Sequence, residues 1–370
     1  MKILMVSTDE QIFQEGSEAY LRMRDYGNLF SELHIIIFSR KKRERKRIRE
    51  NVFIYPVYSF LRFIIPFKAF FESKKIIKES EFRVTTQDPY ETGIVGFLLK
   101  IFYKTKWQAQ IHTDLLSKFF FRQSLKNKIR VFLAKAIIGK ADRIRAVSER
   151  IKNSLLEWGI EEEKIDVLPI AINAGEIKNA PIIFDLKEKF PQFDFRALTV
   201  SRLTPEKNIR VILAALAEIV KKKPKTGLVI AGSGECLDDL KMEVKEKKIE
   251  DNVIFTGKLS FLEAIGAMKT ADVFLSSSVY EGYGMAVAEA MAAGCPVIMT
   301  DTGLANEVLK NRESGLVVKI GNKKEIAEAI DFLMENKEER EKIIEGAKRE
   351  ADNFIEQEEY LKKFKEILEK

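Results

Sequence analysis

The chain has 370 residues, 46% hydrophobic and 32% charged, with a net charge of +7; that length suits two domains better than one core, and that composition excludes a disordered chain. The two cysteines, Cys236 and Cys295, lie far apart in sequence and exclude a disulfide framework, and two histidines, His34 and His112, argue against a His-based metal centre. Residues 1–180 carry 33 Lys and Arg against 22 Asp and Glu, while the remainder carries 30 against 34, so the positive charge is confined to the first half.

In chain order, Lys2 to Ser7 reads as a strand, Ser17 to Ser31 as a helix and His34 to Phe38 as a second strand, the opening of a parallel α/β sheet. Met1 to Val6 is too short for a signal core, so a cytoplasmic location is expected. Arg40 to Arg49 holds eight basic residues, read either as a solvated loop or as part of a surface for an anionic partner. Phe53 to Phe71 is the most apolar stretch, but Pro56, Arg62, Pro66 and Lys68 break it, so it does not read as a membrane span. Over Phe53 to Lys78, and again over Lys118 to Arg130, aromatics alternate with Lys and Arg. Such a face suits the surface of a membrane, and a buried helix with its basic residues in water is the alternative.

Val84 to Thr86, Gln108 to His112, Arg143 to Val147 and Lys164 to Leu168 complete the first strand series. Pro169 to Pro191 interrupts the rhythm and reads as a connection. A second series follows, with strands at Arg196 to Val200, Gly227 to Ala231, Asn252 to Thr256, Val273 to Ser276, Pro296 to Thr300 and Gly315 to Val318. Helices are expected over Lys207 to Lys221, near Glu235 to Lys247, and from Lys323 to the end. Open α/β sheets bind ligands at the carboxyl ends of their strands, so the chemistry belongs in the loops that follow them.

The most informative loop is Glu281-Gly-Tyr-Gly-Met-Ala-Val-Ala-Glu289, which leaves a strand and enters a helix of small residues. Gly282 and Gly284 allow close backbone approach, and the helix start offers free N–H groups and a positive dipole end to a diphosphate. Carboxylates at Glu281 and Glu289 then make sense as acceptors for hydroxyls on either side of that diphosphate, the layout of a nucleotide sugar. On spacing alone, a plain strand–turn–helix with Glu281 capping the helix and Glu289 solvated fits equally well. A second loop, Ser201-Arg-Leu-Thr-Pro-Glu-Lys-Asn208, places Arg202 and Lys207 where both reach one anion. The turn Gly232-Ser233-Gly234 and the segment Phe255 to Leu259 are weaker signals of the same kind.

Taken together, Glu281 to Ile298 and Ser201 to Asn208 resemble the E-x7-E and G-R-L-x-x-x-K-G elements of the family 4 retaining glycosyltransferases. Ser201 and Asn208 stand where the family has glycines. The resemblance implies the GT-B fold: two Rossmann-like doubly wound domains facing a central cleft. It implies an acceptor-side domain over 1–172, onto which the terminal helix 353–370 packs back, and a donor domain over 173–352. It implies catalytic roles for His112, Glu281, Arg202 and Lys207. Donor contacts are implied at Gly16, Gly232, Ser233, Lys258, Leu259, Gly282, Tyr283, Gly284, Met285 and Glu289. The first strand–helix loop has Gly16 alone where the family has a glycine pair.

The implied reaction moves a hexose from a UDP- or GDP-sugar to a hydroxyl of a glycan or lipid-linked acceptor, in envelope or surface polysaccharide synthesis. No metal or other cofactor is expected. The expected location is cytoplasmic, peripheral on the inner face of the membrane. Competing readings are another activity of the fold on nucleotide sugars (epimerase or phosphorylase) and a non-catalytic nucleotide-sugar sensor. Nucleic-acid binding rests on charge alone, without a recognition motif.

Overall fold

A computed structural model describes residues 1–77 and 81–370, and the chain divides into two compact units, 1–169 with 358–370, and 170–357. Lys78, the end of the aromatic-and-basic segment, lies outside the described residues.

The first unit holds an eight-stranded sheet of β1 (Lys2–Ser7), β2 (Glu32–Ser39), β3 (Lys46–Arg49), β4 (Val52–Tyr58), β5 (Phe82–Thr86), β6 (Lys106–Ile111), β7 (Arg143–Ala146) and β8 (Ile165–Val167). The order is β3-β4-β2-β1-β5-β6-β7-β8, parallel throughout except for the β3–β4 edge. Ile3, Leu4, Met5 and Val6 of β1 are fully buried, the unbroken apolar run of a strand covered on both faces.

Two strands depart from the reading of the sequence. The basic run, read either as a solvated loop or as a surface for an anionic partner, ends in β3, and the apolar stretch after it begins with β4. Arg45 lies over the Tyr55 ring and Arg47 over the Phe53 ring, so the guanidinium groups and their stems cover the aromatics of β4. Pro56 is accommodated because β3 pairs with β4 only over Val52 to Ile54, which leaves that side of Pro56 unpaired.

The terminal helix Gln357–Glu369 contributes Tyr360 and Phe364 to this unit. Phe364 stacks on Tyr26 at 4.9 Å, and the Tyr26 and Tyr360 hydroxyls share a hydrogen bond of 2.9 Å.

The second unit is a six-stranded parallel sheet of β9 (Phe195–Val200), β10 (Thr226–Ala231), β11 (Val253–Gly257), β12 (Val273–Ser276), β13 (Val297–Thr300) and β14 (Leu316–Val318), in the order β11-β10-β9-β12-β13-β14. The chain leaves β9 toward β10 and β11, then returns to pair β12 on the other side of β9. That reversal opens a crevice at the carboxyl ends of β9 and β12. The helix Ile209–Ile219 packs its apolar face on the sheet through Ile209, Ile212, Leu213 and Leu216, and anchors the loop after β9. This helix starts later than its sequence pattern predicts. A short turn over Pro205–Lys207 and a left-handed Asn208 (φ 48°) precede it.

Candidate functional site

The loops after β9 and β12 meet at the reversal point of the second sheet. Lys207 Nζ donates to Glu281 Oε1, and both side chains are largely buried. Ser278 Oγ donates to the same carboxylate oxygen at 2.7 Å. Glu281 Oε2 receives no hydrogen bond among the described residues and remains available as an acceptor.

Several bonds tie the two loops together. Val279 N donates to the Glu206 carbonyl at 2.8 Å, and Ser277 Oγ donates to the carbonyls of Lys207 at 2.8 Å and Asn208 at 3.1 Å. Thr300 Oγ1, at the end of β13, donates to the Ser278 carbonyl at 2.6 Å. These bonds fix Lys207 and Glu281 by backbone as well as side chain. Arg202 differs: its side chain is 74% exposed and, among the described residues, donates only to Glu206 Oε1, at 3.2 Å. A guanidinium held on one side and free on the others can turn to an arriving anion.

Glu281 does not cap the helix Met285–Ala292. Gly284 occupies the cap with φ 107°, without a side-chain hydrogen bond, and the first bonds back to it come from Val287 and Ala288. The N–H groups of Met285 and Ala286 therefore have no acceptor among the described residues. Together with Lys207 and Arg202, each already paired with a carboxylate, they supply hydrogen-bond donors that suit a diphosphate.

The turn after β10 lies against the loop after β9. Leu203 N donates to the Ser233 carbonyl at 2.9 Å, and Cys236 N donates to the Leu203 carbonyl at 3.0 Å. A Cβ at Gly232 would stand 1.8 Å from the Ser201 carbonyl oxygen, at a φ of 143°, so only glycine fits there. Ser233 and Lys258 are exposed and Leu259 half-exposed, whereas Gly282 and Tyr283 are buried. Burial, with Glu307 nearby, pushes the Tyr283 phenol up to about 12, and the Tyr283 carbonyl accepts from Leu304 N at 2.8 Å. Met285 and Glu289 are half-buried on the helix.

In the first unit, His112 directly follows β6. Its side chain is exposed to solvent, yet protein crowds it on most sides. That desolvation, followed by the positive charges of Arg145 and Arg22, pushes its pKa down to about 3, so the imidazole is neutral at physiological pH. Gly16, with φ 79°, is an exposed turn residue ahead of the helix Glu18–Tyr26, and a Cβ there would meet open space.

These features agree with what the chain is similar to. Residues 184–350 match the family model of the glycosyl transferases group 1, and residues 30–176 match that of glycosyltransferase family 4. The two matches together span most of the chain, which is a glycosyltransferase similar to family 4.

Among relatives of this glycosyltransferase, the alpha-monoglucosyldiacylglycerol synthase of Streptococcus pneumoniae is 28% identical over 70% of this chain and 61% of that protein. The chain thus spans about six tenths of that relative's length. An uncharacterized glycosyltransferase of Methanocaldococcus jannaschii is 27% identical over 92% of this chain and 90% of its own. Among solved structures, Anabaena HepE in complex with UDP and glucose superposes with a TM-score of 0.79 at 19% identity, over 100% of this chain and 99% of that one. The fold is GT-B, with two parallel-sheet Rossmann-like domains.

The structure of the glycosyltransferase brings Lys207 and Glu281 into direct contact, with Arg202 on the same loop as Lys207. His112 and Gly16 belong to the other unit. Sequence reading missed Ser277, Ser278 and Thr300, which brace the two loops. Small hydroxyl residues at the ends of apolar strands are their only sequence signal. It also missed Thr302, whose buried hydroxyl has no hydrogen-bond partner among the described residues. Gln110 and Arg145 were missed as well, since a buried polar pair on adjacent strands is invisible before the strands are paired.

Proposed function

We propose that the chain transfers a hexose from a nucleotide-diphosphate sugar, UDP- or GDP-linked, to a hydroxyl of a glycan or lipid-linked acceptor, with retained anomeric configuration. The observation that carries this reading is the Lys207–Glu281 pair at the β9–β12 reversal, beside a helix start with free N–H groups. Lys207, Arg202 and the N–H groups would take the diphosphate. Glu281 Oε2 would face sugar hydroxyls, with Glu289 toward the ribose, and the family resemblance gives His112 a substrate hydroxyl as well. In the reaction the C1–O bond to the diphosphate breaks and a C1–O bond to the acceptor forms, while the acceptor proton passes to a phosphate oxygen of the leaving group. The charge that develops on that group is met by fixed positive groups of the protein, so the reading calls for no metal ion. The HepE complex with UDP and glucose supports a donor of this class.

An acceptor at a membrane surface, in envelope synthesis on the cytoplasmic side, fits a patch on the first unit. Phe60 (89% exposed), Phe63 (72%), Phe67, Phe71 and Phe102 stand out from the protein, and Leu125, Ile129 and Phe132 (74%) line one face of the helix Leu125–Ile137. Phe70 touches both Phe71 and Phe102, which joins the helices Ile65–Ile77 and Glu91–Tyr103 into one aromatic patch. Exposed Lys68, Lys75, Lys126 and Lys128 and half-buried Lys74 are carried by the same two helical segments, Ile65–Ile77 and Leu125–Ile137. Apolar rings flanked by cations match an anionic lipid surface. Among the described residues no helix is long and apolar enough to cross a membrane.

The test is chromatographic. The purified chain is incubated with UDP- and GDP-hexoses and lipid or glycan acceptors, and free nucleotide diphosphate and glycosylated product are quantified. Stoichiometric release of both supports the reading; nucleotide release without glycosylated product, from every donor and acceptor, rejects it.

A further inference from the structure

Behind His112 lies a buried polar chain whose donors and acceptors can be assigned one by one. Arg145 of β7 is 1% exposed, and no carboxylate pairs with it among the described residues. Its Nε and Nη2 donate to the Leu168 carbonyl at 3.2 and 3.0 Å, and its plane lies over the Tyr360 ring at 5.0 Å. Its Nη1 donates to Gln110 Oε1 at 2.9 Å. Arginine only donates, so Gln110 must turn its carbonyl oxygen toward Arg145. The Gln110 amide nitrogen then donates to Thr85 Oγ1 at 2.9 Å, and Thr85 Oγ1 donates to Gln108 Oε1 at 2.9 Å. Every polarity in this chain is consistent.

His112 Nε2 lies 3.1 Å from the same Gln110 Oε1. An oxygen fixed as acceptor by Arg145 can meet Nε2 only if Nε2 carries the proton. A neutral imidazole protonated on Nε2 has a lone pair on Nδ1. Nδ1 makes no hydrogen bond among the described residues, and the side chain is exposed.

We propose that Gln110 and Arg145 are positioning residues that lock His112 as its Nε2–H form and present Nδ1 as a hydrogen-bond acceptor to a hydroxyl of the substrate. The tautomer lock stands on the hydrogen bonds alone, and the substrate hydroxyl rests on the role given to His112 in the proposed function. A buried, uncompensated arginine is costly. Here its charge does two things: it orients Gln110, and with Arg22 of the helix Glu18–Tyr26 it opposes a second proton on the imidazole.

Nitrogen-15 labelling of the full chain tests this, because only His34 and His112 contribute imidazole signals. In two-bond proton–nitrogen spectra at neutral pH, His112 is expected to show a pyrrole-like Nε2 and a pyridine-like Nδ1, and to titrate well below an ordinary histidine. Gln110→Glu places a carboxylate against both Arg145 and His112, and the His112 midpoint should rise by about 1–3 units. Arg145→Met frees the Gln110 amide to flip, so the two tautomers should mix, and Arg145→Lys, which still donates, should restore one. His34 signals report whether each variant is folded.

A wild-type His112 protonated on Nδ1 overturns the proposal. So do His112 signals unchanged in both Gln110→Glu and Arg145→Met. If the signals respond as expected but transfer rates do not change, the lock stands, and His112 loses its place in the proposed reaction.

Discussion

Lys207 and Glu281, 74 residues apart, form an ion pair at the point where the second sheet reverses its winding. One residue comes from the loop after β9 and the other from the loop after β12, the two strands that flank the reversal. The pair leaves one glutamate oxygen free for a hydroxyl and keeps a lysine charge beside a helix start. Glu281→Gln keeps the shape and removes the charge, and kcat should fall by about 10²–10³-fold, the cost of removing one preorganised polar group at a reacting centre. Lys207→Met should lose a similar factor. The double variant should lose less than the product of the two, because each single change leaves its partner unpaired. Steady-state transfer rates check all three, and additive losses would show that the pair is not a unit.

Asn208 supplies the left-handed residue between the short turn and the helix Ile209–Ile219. Most side chains pay for that conformation with Cβ contacts, and asparagine less than most. Asn208→Ala should destabilise the helix start by about 1 kcal/mol, whereas Asn208→Gly should be neutral or better. Hydrogen exchange of the amides of this helix is the appropriate readout, since Trp107 and Trp158 both lie in the first unit and fluorescence would not report on the second.

Gly232 is the tightest of the turn glycines in the second unit. A methyl group there would overlap the Ser201 carbonyl oxygen, so Gly232→Ala must push the turn after β10 away from the loop carrying Arg202. Overpacking of this kind costs about 1–3 kcal/mol. Calorimetric titration with UDP or GDP should show weakened binding, and unchanged affinity would mean that the loop after β9 does not need this contact to hold nucleotide.

The second unit was legible in the sequence because its key groups sit in two short segments, each following an apolar strand. Glycine, lysine and glutamate at fixed offsets from a strand end carry the pattern. The first unit was less legible. Arg47 in β3 and Arg45 just ahead of it lie over aromatic rings of β4, a fact of pairing that a run of charges does not express. The same holds for Gln110: between Ala109 and Ile111 it breaks an apolar run, and only β7 alongside, with Arg145, explains why a buried amide is tolerated there. The reading of Glu281 as a helix cap failed because Lys207, distant in sequence, takes its carboxylate instead.

The exposed aromatics of the first unit should drive membrane binding. Phe63→Ser with Phe132→Ser removes two of the most exposed rings, and affinity for phosphatidylglycerol vesicles should fall by about tenfold or more. Binding should also weaken as salt rises, because the flanking lysines are screened. Vesicle sedimentation measures both. Equal binding to phosphatidylcholine vesicles at low and high salt would remove the lysines from the account.

Asp88 gives a pH dependence whose sign can be worked out. It is a buried carboxyl at the start of the helix Glu91–Tyr103, where Oδ1 accepts from Tyr90 N at 2.9 Å and Thr92 N at 3.0 Å. Burial, and then the charge of Glu91, outweigh those bonds and raise its pKa from 3.8 to about 6. The folded chain therefore holds a proton that the unfolded chain has released between those two values. Its contribution to stability is fully present below the lower value and is lost as pH rises through the upper one, a change of about 3 kcal/mol. Asp88→Asn keeps the acceptor and cannot ionise, so its stability relative to wild type should climb across that window and level off above it. Urea unfolding followed by fluorescence of Trp107, which packs against the same helix at Gly93 and Gly96, measures the difference at each pH. Parallel pH profiles for the two proteins would mean that Asp88 ionises as readily in the folded state as in the unfolded one.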